Sequence, residues 1–101
     1  MKRKLVRYKA KPEAVAENRR LIEAVFEQLQ AMAPESVSYM VIELGDGSFV
    51  HLKSDAYDGA FELGELSAFQ SFMGGIGERC EEPPQSQEAR LVGSYRMAMN
   101  G

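Results

Sequence analysis

Two alternating runs, VSYMVIEL at 37–44 and SFVHLKS at 48–54, flank Gly45, Asp46 and Gly47 in the middle of this chain. Few folds accommodate that pattern. A three-residue hairpin loop needs a left-handed residue, and Gly47 can supply it without a Cβ clash. With Leu44 opposite Ser48, Ile42 faces Val50 and Met40 faces Leu52, while Glu43 faces Phe49, Val41 faces His51 and Tyr39 faces Lys53. A slip of one residue would pair Ile42 with His51 and mix the two faces, so the segregated register is expected.

The flanking segments supply the other elements. From Lys4 to Lys11 the residues alternate as in a strand, Val6, Tyr8 and Ala10 on one side and Leu5, Arg7 and Lys9 on the other. Pro12 suits a helix start. Val15, Asn18, Ile22, Val25, Phe26, Leu29 and Met32 then recur at helical spacing against a polar face of Glu13, Glu17, Arg20 and Glu27, and Pro34 ends the helix. Ser67 and Gln70 have capping-box spacing and open a second helix, with Phe69, Phe72, Met73, Ile76 and Cys80 on one stripe. Gly74, Gly75 and Gly77 weaken that helix by about 1 kcal/mol each relative to alanine. They point to close backbone approach, since GGIG lacks the preceding strand of a phosphate-cradling loop. Pro83 and Pro84 terminate the helix, and ARLVGSYRM at 89–97 reads as a final strand followed by a loose tail at 98–101. The connection DAYDGAFELGEL has no clean period and is long enough to cover a pocket.

Strand, helix, strand, strand, helix, strand is the order of a ferredoxin-like α+β fold, βαββαβ with a four-stranded antiparallel sheet, its first and third strands central and both helices on one face. A single such domain is expected over 1–101. The uniformly apolar face of Met40, Ile42, Leu44, Val50 and Leu52 is expected beneath the helices. Tyr39, Val41, Glu43, Phe49, His51 and Lys53 would then lie uncovered, too apolar for water, and a second copy packed sheet to sheet would cover them. The expected assembly is a homodimer through the open sheet face.

Composition narrows the function classes. At 101 residues, 45% apolar and 27% charged, the chain suits one modestly stable globular core. A net charge of −3 with dispersed signs lacks the basic face of a nucleic-acid binder, and the basic start MKRKLVR is too small a footprint. No run approaches the roughly 20 apolar residues of a membrane span, and charges interrupt any leader-like segment, so a cytoplasmic location is expected. Cys80, the only cysteine, has no internal disulfide partner.

The segments VRYKAKPEAVAENRRLIEAVF, SYMVIELGDGSFVHL, AFQSFMGGIGERCEEPP and VGSYRM resemble the dimeric α/β-barrel superfamily, close to antibiotic-biosynthesis-monooxygenase-like domains. The resemblance covers nearly the whole chain and is greatest to short members without assigned activity. It implies a dimeric α/β barrel and a range of functions, from cofactor-independent oxygenases and isomerases to haem-degrading enzymes. Tryptophan is absent, the only asparagines are Asn18 and Asn100, and His51 sits on a strand rather than a helix. The residues that quinone-forming and haem-degrading members use are therefore missing, and no cofactor is expected.

His51 is the only side chain whose ordinary pKa lies near neutrality, which makes it the first candidate base. The catalytic candidates are His51, Arg7 and Tyr39, with His51 removing a proton while Arg7 and Tyr39 stabilise the resulting anion. Glu43, Phe49 and Lys53 are substrate-binding candidates for a small aromatic or carbonyl ligand. The competing reading makes His51 a hydrogen-bonded group at the dimer interface of a ligand-binding or accessory protein. Cys80 is expected to be an apolar filler, and one histidine with one distant cysteine is poor support for a metal site. Tyr8, Phe26, Phe61, Phe69, Phe72 and Tyr95 suit a core or an aromatic-substrate pocket.

Overall fold

The computed structural model describes residues 2–57 and 59–97. Its elements run β1 (Lys2–Ala10), a 3-10 turn (Pro12–Ala14), α1 (Val15–Met32), β2 (Val37–Glu43), β3 (Ser48–Asp55), a second 3-10 turn (Leu63–Glu65), α2 (Ser67–Gly74), α3 (Ile76–Arg79) and β4 (Cys80–Ala89). The strands form one antiparallel sheet in the order β2-β3-β1-β4, the ferredoxin-like α+β arrangement.

The hairpin forms as its turn chemistry requires. Gly47 is left-handed at φ +88°. Its N–H donates to the Leu44 carbonyl at 3.2 Å, and Leu44 N–H donates to the Ser48 carbonyl at 2.8 Å. Met40 opposes Leu52, Ile42 opposes Val50 and Val41 opposes His51, so the two faces are segregated. The Gly47 carbonyl also accepts from Ala10 N–H at 3.0 Å, tying the turn to the end of β1.

Which face is buried differs from expectation. The core contains Tyr8, Ala10 and Phe49 from the sheet with Ile22, Val25, Leu29, Leu63, Leu66 and Phe72. The helices therefore cover the face carrying Tyr39, Val41, Phe49 and His51, and leave open the face of Met40, Ile42, Val50 and Leu52. The cause lies in β1. Its pairing with β3 sets Arg7 beside Val50 and Leu5 beside Leu52, but Tyr8 beside Phe49 and Val6 beside His51. Burying the Val50 face would force Arg3, Arg7 and Lys9 under the helices, where desolvating three cations is costly.

The last strand is also displaced. β4 starts at Cys80, immediately after α3, rather than near residue 89. Pro83 and Pro84 lie inside it, which an edge strand tolerates because one side needs no ladder donors. The ladder slips there: Arg7 and Lys9 of β1 face Gln85 and Glu82 of β4, two residues against three, as in a bulge. Residues 90–97 form no strand, and Val92 is 94% exposed. The tail expected at 98–101 lies outside the described residues.

Among the helices, α1 buries Asn18, Ile22, Val25 and Leu29. It closes at left-handed Ala33, whose N–H donates to the Leu29 carbonyl at 2.7 Å. The capping box at α2 does not form. Gln28 of α1 caps it instead, accepting from Ala68 N–H at 2.8 Å through Oε1 and donating to Ser67 Oγ at 2.8 Å through Nε2. The expected single second helix breaks at Gly75 into α2 and α3. Among the described residues no helix is long and apolar enough to cross a membrane.

Candidate functional site

His51 lies on β3 between two diagonal neighbours on the buried sheet face, Tyr8 of β1 and Tyr39 of β2. Tyr8 Oη is 2.8 Å from His51 Nε2, and Tyr39 Oη is 2.6 Å from Nδ1. Both ring nitrogens are thus held by phenols. Stacking fixes the phenols in turn: Tyr8 lies on Phe49 with ring centroids 5.5 Å apart, and Tyr39 lies on Phe26 of α1 at 5.1 Å.

The helices extend this polar string into the core. Asn18 is fully buried at 0% exposure, and its Nδ2 donates to Tyr8 Oη at 2.8 Å. Arg79, the last residue of α3, donates from Nε to Asn18 Oδ1 at 3.0 Å and from Nη2 to the Phe72 carbonyl at 2.6 Å. Its guanidinium lies 5.2 Å from the Phe72 ring centroid, a cation–π distance. Gly75 leaves room beside this guanidinium, since a Cβ there would stand 3.2 Å from Arg79 Nη1. The expected close approach of these glycines to the sheet is not seen: at Gly74 and Gly77 a Cβ would meet nothing within 4 Å.

Above the string is a cavity of about 390 Å³, within the range of small-molecule pockets. Val6, Tyr8, Tyr39 and His51 line it from the sheet, Phe69, Phe72, Met73 and Ile76 from the helices, and Glu62, Leu63 and Gly64 from the long connection. Lys4 and Glu62 are exposed at its rim. The result is a mostly apolar chamber with a buried polar corner at Tyr8, His51 and Tyr39 and further polar groups, Lys4, Lys53, Glu62 and Ser86, in its lining.

Burial governs the protonation states in that corner. It pushes the His51 pKa down to about 4, so the imidazole is neutral at pH 7. Burial also raises both tyrosines well above the ordinary phenol value, with the Asn18 hydrogen bond partly opposing the shift at Tyr8. The corner is therefore a set of neutral hydrogen-bonding groups. A base whose conjugate acid has so low a pKa is weak, and neither nitrogen of His51 is vacant for a substrate proton.

The sequence candidates separate accordingly. Tyr39 and His51 meet, and Lys53 lines the same cavity, although its Nζ is held by the Phe61 carbonyl at 2.6 Å and by Asp55 at 3.3 Å. Arg7 lies on the opposite sheet face, opposite Val50, and does not approach His51. Glu43 is engaged in a bidentate ion pair with Arg19, at 2.8 and 2.9 Å, on the exposed side of α1. Phe49 supports Tyr8 from within the core. Tyr8, an aromatic expected in the core or an aromatic pocket, serves both, while Asn18 and Arg79 are not among the sequence candidates, although Asn18 interrupts an otherwise apolar helix stripe, which signals a polar partner in the core. Cys80 opens β4, half-buried, with its thiol pKa raised by burial, so it is protonated and a poor nucleophile. Among the described residues no group of three histidine, cysteine or acidic side chains is placed to hold a metal ion.

The fold, an antiparallel ferredoxin-like sheet with helices on one face, is shared with several solved structures. A crystal structure of an antibiotic biosynthesis monooxygenase superposes with a TM-score of 0.74 at 15% identity, covering 92% of this chain and 100% of that one. The Rv0793 protein of Mycobacterium tuberculosis gives 0.74 at 18% identity, covering 92% and 96%. A candidate antibiotic biosynthesis monooxygenase from Bacteroides thetaiotaomicron gives 0.77 at 14% identity, covering 98% and 95%. At these identities the likeness is one of fold. No protein-family model and no curated protein matches the sequence.

Proposed function

We propose that the protein is a homodimer that binds a small, largely apolar carbonyl or phenolic compound, aromatic rings included, in the cavity beside His51. The observation that carries this is the placement of the Tyr8–His51–Tyr39 string in the wall of a mostly apolar chamber of about 390 Å³. Such a chamber desolvates a ring, and a phenol in its wall orients the ligand's oxygen. Tyr39 serves as the hydrogen-bond donor, His51 holds Tyr39, and Lys53 stabilises the covering connection through Phe61. Isothermal titration with a panel of bicyclic ketones, quinones and phenols is expected to find micromolar binders that weaken at least tenfold in Tyr39→Phe. Failure of every compound to bind, or binding indifferent to Tyr39→Phe, would refute the assignment.

A second reading, cofactor-independent monooxygenase or isomerase, is favoured by the continuity of the string. With solvent taking the α-proton of a ketone, the enolate oxygen that forms accepts a hydrogen bond from Tyr39 O–H, while His51 Nδ1–H holds the Tyr39 oxygen and the string itself stays neutral. The monooxygenase names of the structural neighbours agree with that chemistry. Solvent-deuterium exchange at the α-carbon of a bound ketone, abolished in Tyr39→Phe, is its signature; binding without exchange or turnover leaves the protein a binder.

The dimer proposal now rests on the other sheet face. Leu5, Met40, Ile42, Val50 and Leu52 form an apolar centre there, Ile42 being 48% exposed, flanked by Arg3, Arg7 and Lys9. A second copy would cover that surface.

A further inference from the structure

We propose that Arg79, acting through Asn18, fixes the direction of the buried hydrogen-bond chain so that Tyr39 presents its hydroxyl hydrogen to the cavity, selecting ligands with an acceptor oxygen at that end. The assignment of ligand class rests on the cavity being a binding site; the chain's direction does not.

The direction follows from donor and acceptor inventories. A guanidinium has five N–H donors and no acceptor, so the Asn18 atom facing Arg79 Nε at 3.0 Å must be its carbonyl oxygen. The Asn18 amide nitrogen is then the atom 2.8 Å from Tyr8 Oη, and Tyr8 accepts. Tyr8 is 2% exposed, and a buried hydroxyl hydrogen needs a partner. The acceptor within reach is His51 Nε2 at 2.8 Å, which places the imidazole hydrogen on Nδ1. Nδ1–H accordingly donates to Tyr39 Oη at 2.6 Å. Tyr39 is left with its own hydrogen, and its ring lines the cavity. Carbonyls, quinones and phenolates match that hydrogen, whereas ammonium and amide N–H groups do not. Asn18 and Arg79 are positioning residues, since neither lines the cavity.

The tautomer of His51 reads the chain's direction without any ligand. In the 101-residue chain with ¹⁵N-labelled histidine at pH 7, long-range ¹H–¹⁵N correlations are expected to show hydrogen on Nδ1; hydrogen on Nε2 would overturn the proposal. Asn18→Asp is nearly isosteric, and a carboxylate facing Arg79 can only accept from Tyr8. The whole chain should then reverse, moving the imidazole hydrogen to Nε2 and turning the Tyr39 hydrogen inward. Affinity for 1-tetralone, an acceptor-only aromatic ketone, should fall at least tenfold. A folded Asn18→Asp protein that keeps the Nδ1–H tautomer contradicts the relay. Arg79→Lys retains a cationic donor and should preserve the wild-type tautomer, whereas Arg79→Met should yield a mixture. If no compound of the panel, 1-tetralone included, binds a wild-type protein in the Nδ1–H state, the binding-site assignment fails and the chain's direction stands.

Discussion

At His51, neutrality and burial are one fact: the ring is 6% exposed, and charging it beneath two helices strands a cation among phenols that have no formal charge to offset it. The folded pKa of about 4 lies below the unfolded value of 6.5, so unfolding takes up a proton between those pH values. Stability from the neutral ring is therefore complete above pH 6.5 and is lost as pH falls towards 4, by about 3 kcal/mol in total. Urea denaturation of wild type and His51→Gln at pH 7 and pH 4 checks this: the wild-type protein should lose about that much more stability than the variant, and parallel losses would contradict the buried neutral ring. Tyr8→Phe should cost about 1–3 kcal/mol, because the Asn18 amide and His51 Nε2 both lose a buried partner. Tyr39→Phe should cost less, since the cavity gives Nδ1 access to water, and denaturation midpoints will rank the two. His51 and Tyr39 were legible as candidates from residue type and register. Asn18 was visible only as a polar interruption, and Arg79 not at all, since its reach depends on the break at Gly75.

Elements were legible where one strong local rule governs them. The hairpin followed from Gly47 and α1 from its stripe, because turn geometry and amphipathic burial act over a few residues. β4 was misplaced because proline reads as a breaker, whereas an edge strand leaves one side of its backbone unpaired, and the alternation of ARLVGSYRM resembled a strand that no neighbouring edge receives. Ser67 illustrates the same limit: capping-box spacing was present, yet Gln28 arrives from α1 and satisfies the helix end first. Gln28→Ala should therefore destabilise the protein by about 1 kcal/mol and Ser67→Ala by less, as thermal unfolding will show. Equal costs would restore a local cap.

Across the whole molecule, register and topology were readable, but the choice of buried face was not made correctly from the hairpin alone. Both faces of β2 and β3 carry apolar residues, and the deciding strand was β1, where Arg3, Arg7 and Lys9 share a side. That side also defines the surface offered to a second copy, so Ile42→Lys should shift the protein from dimer to monomer in light scattering at micromolar concentration while leaving it folded; a wild-type monomer would refute the assembly. Everything assigned to the cavity depends on the helices covering the His51 face. An NMR titration of the lone imidazole tests that directly: burial predicts chemical shifts that stay flat from pH 8 to pH 5 and a midpoint near 4. A midpoint near 6.5 would place His51 in water and contradict the buried site.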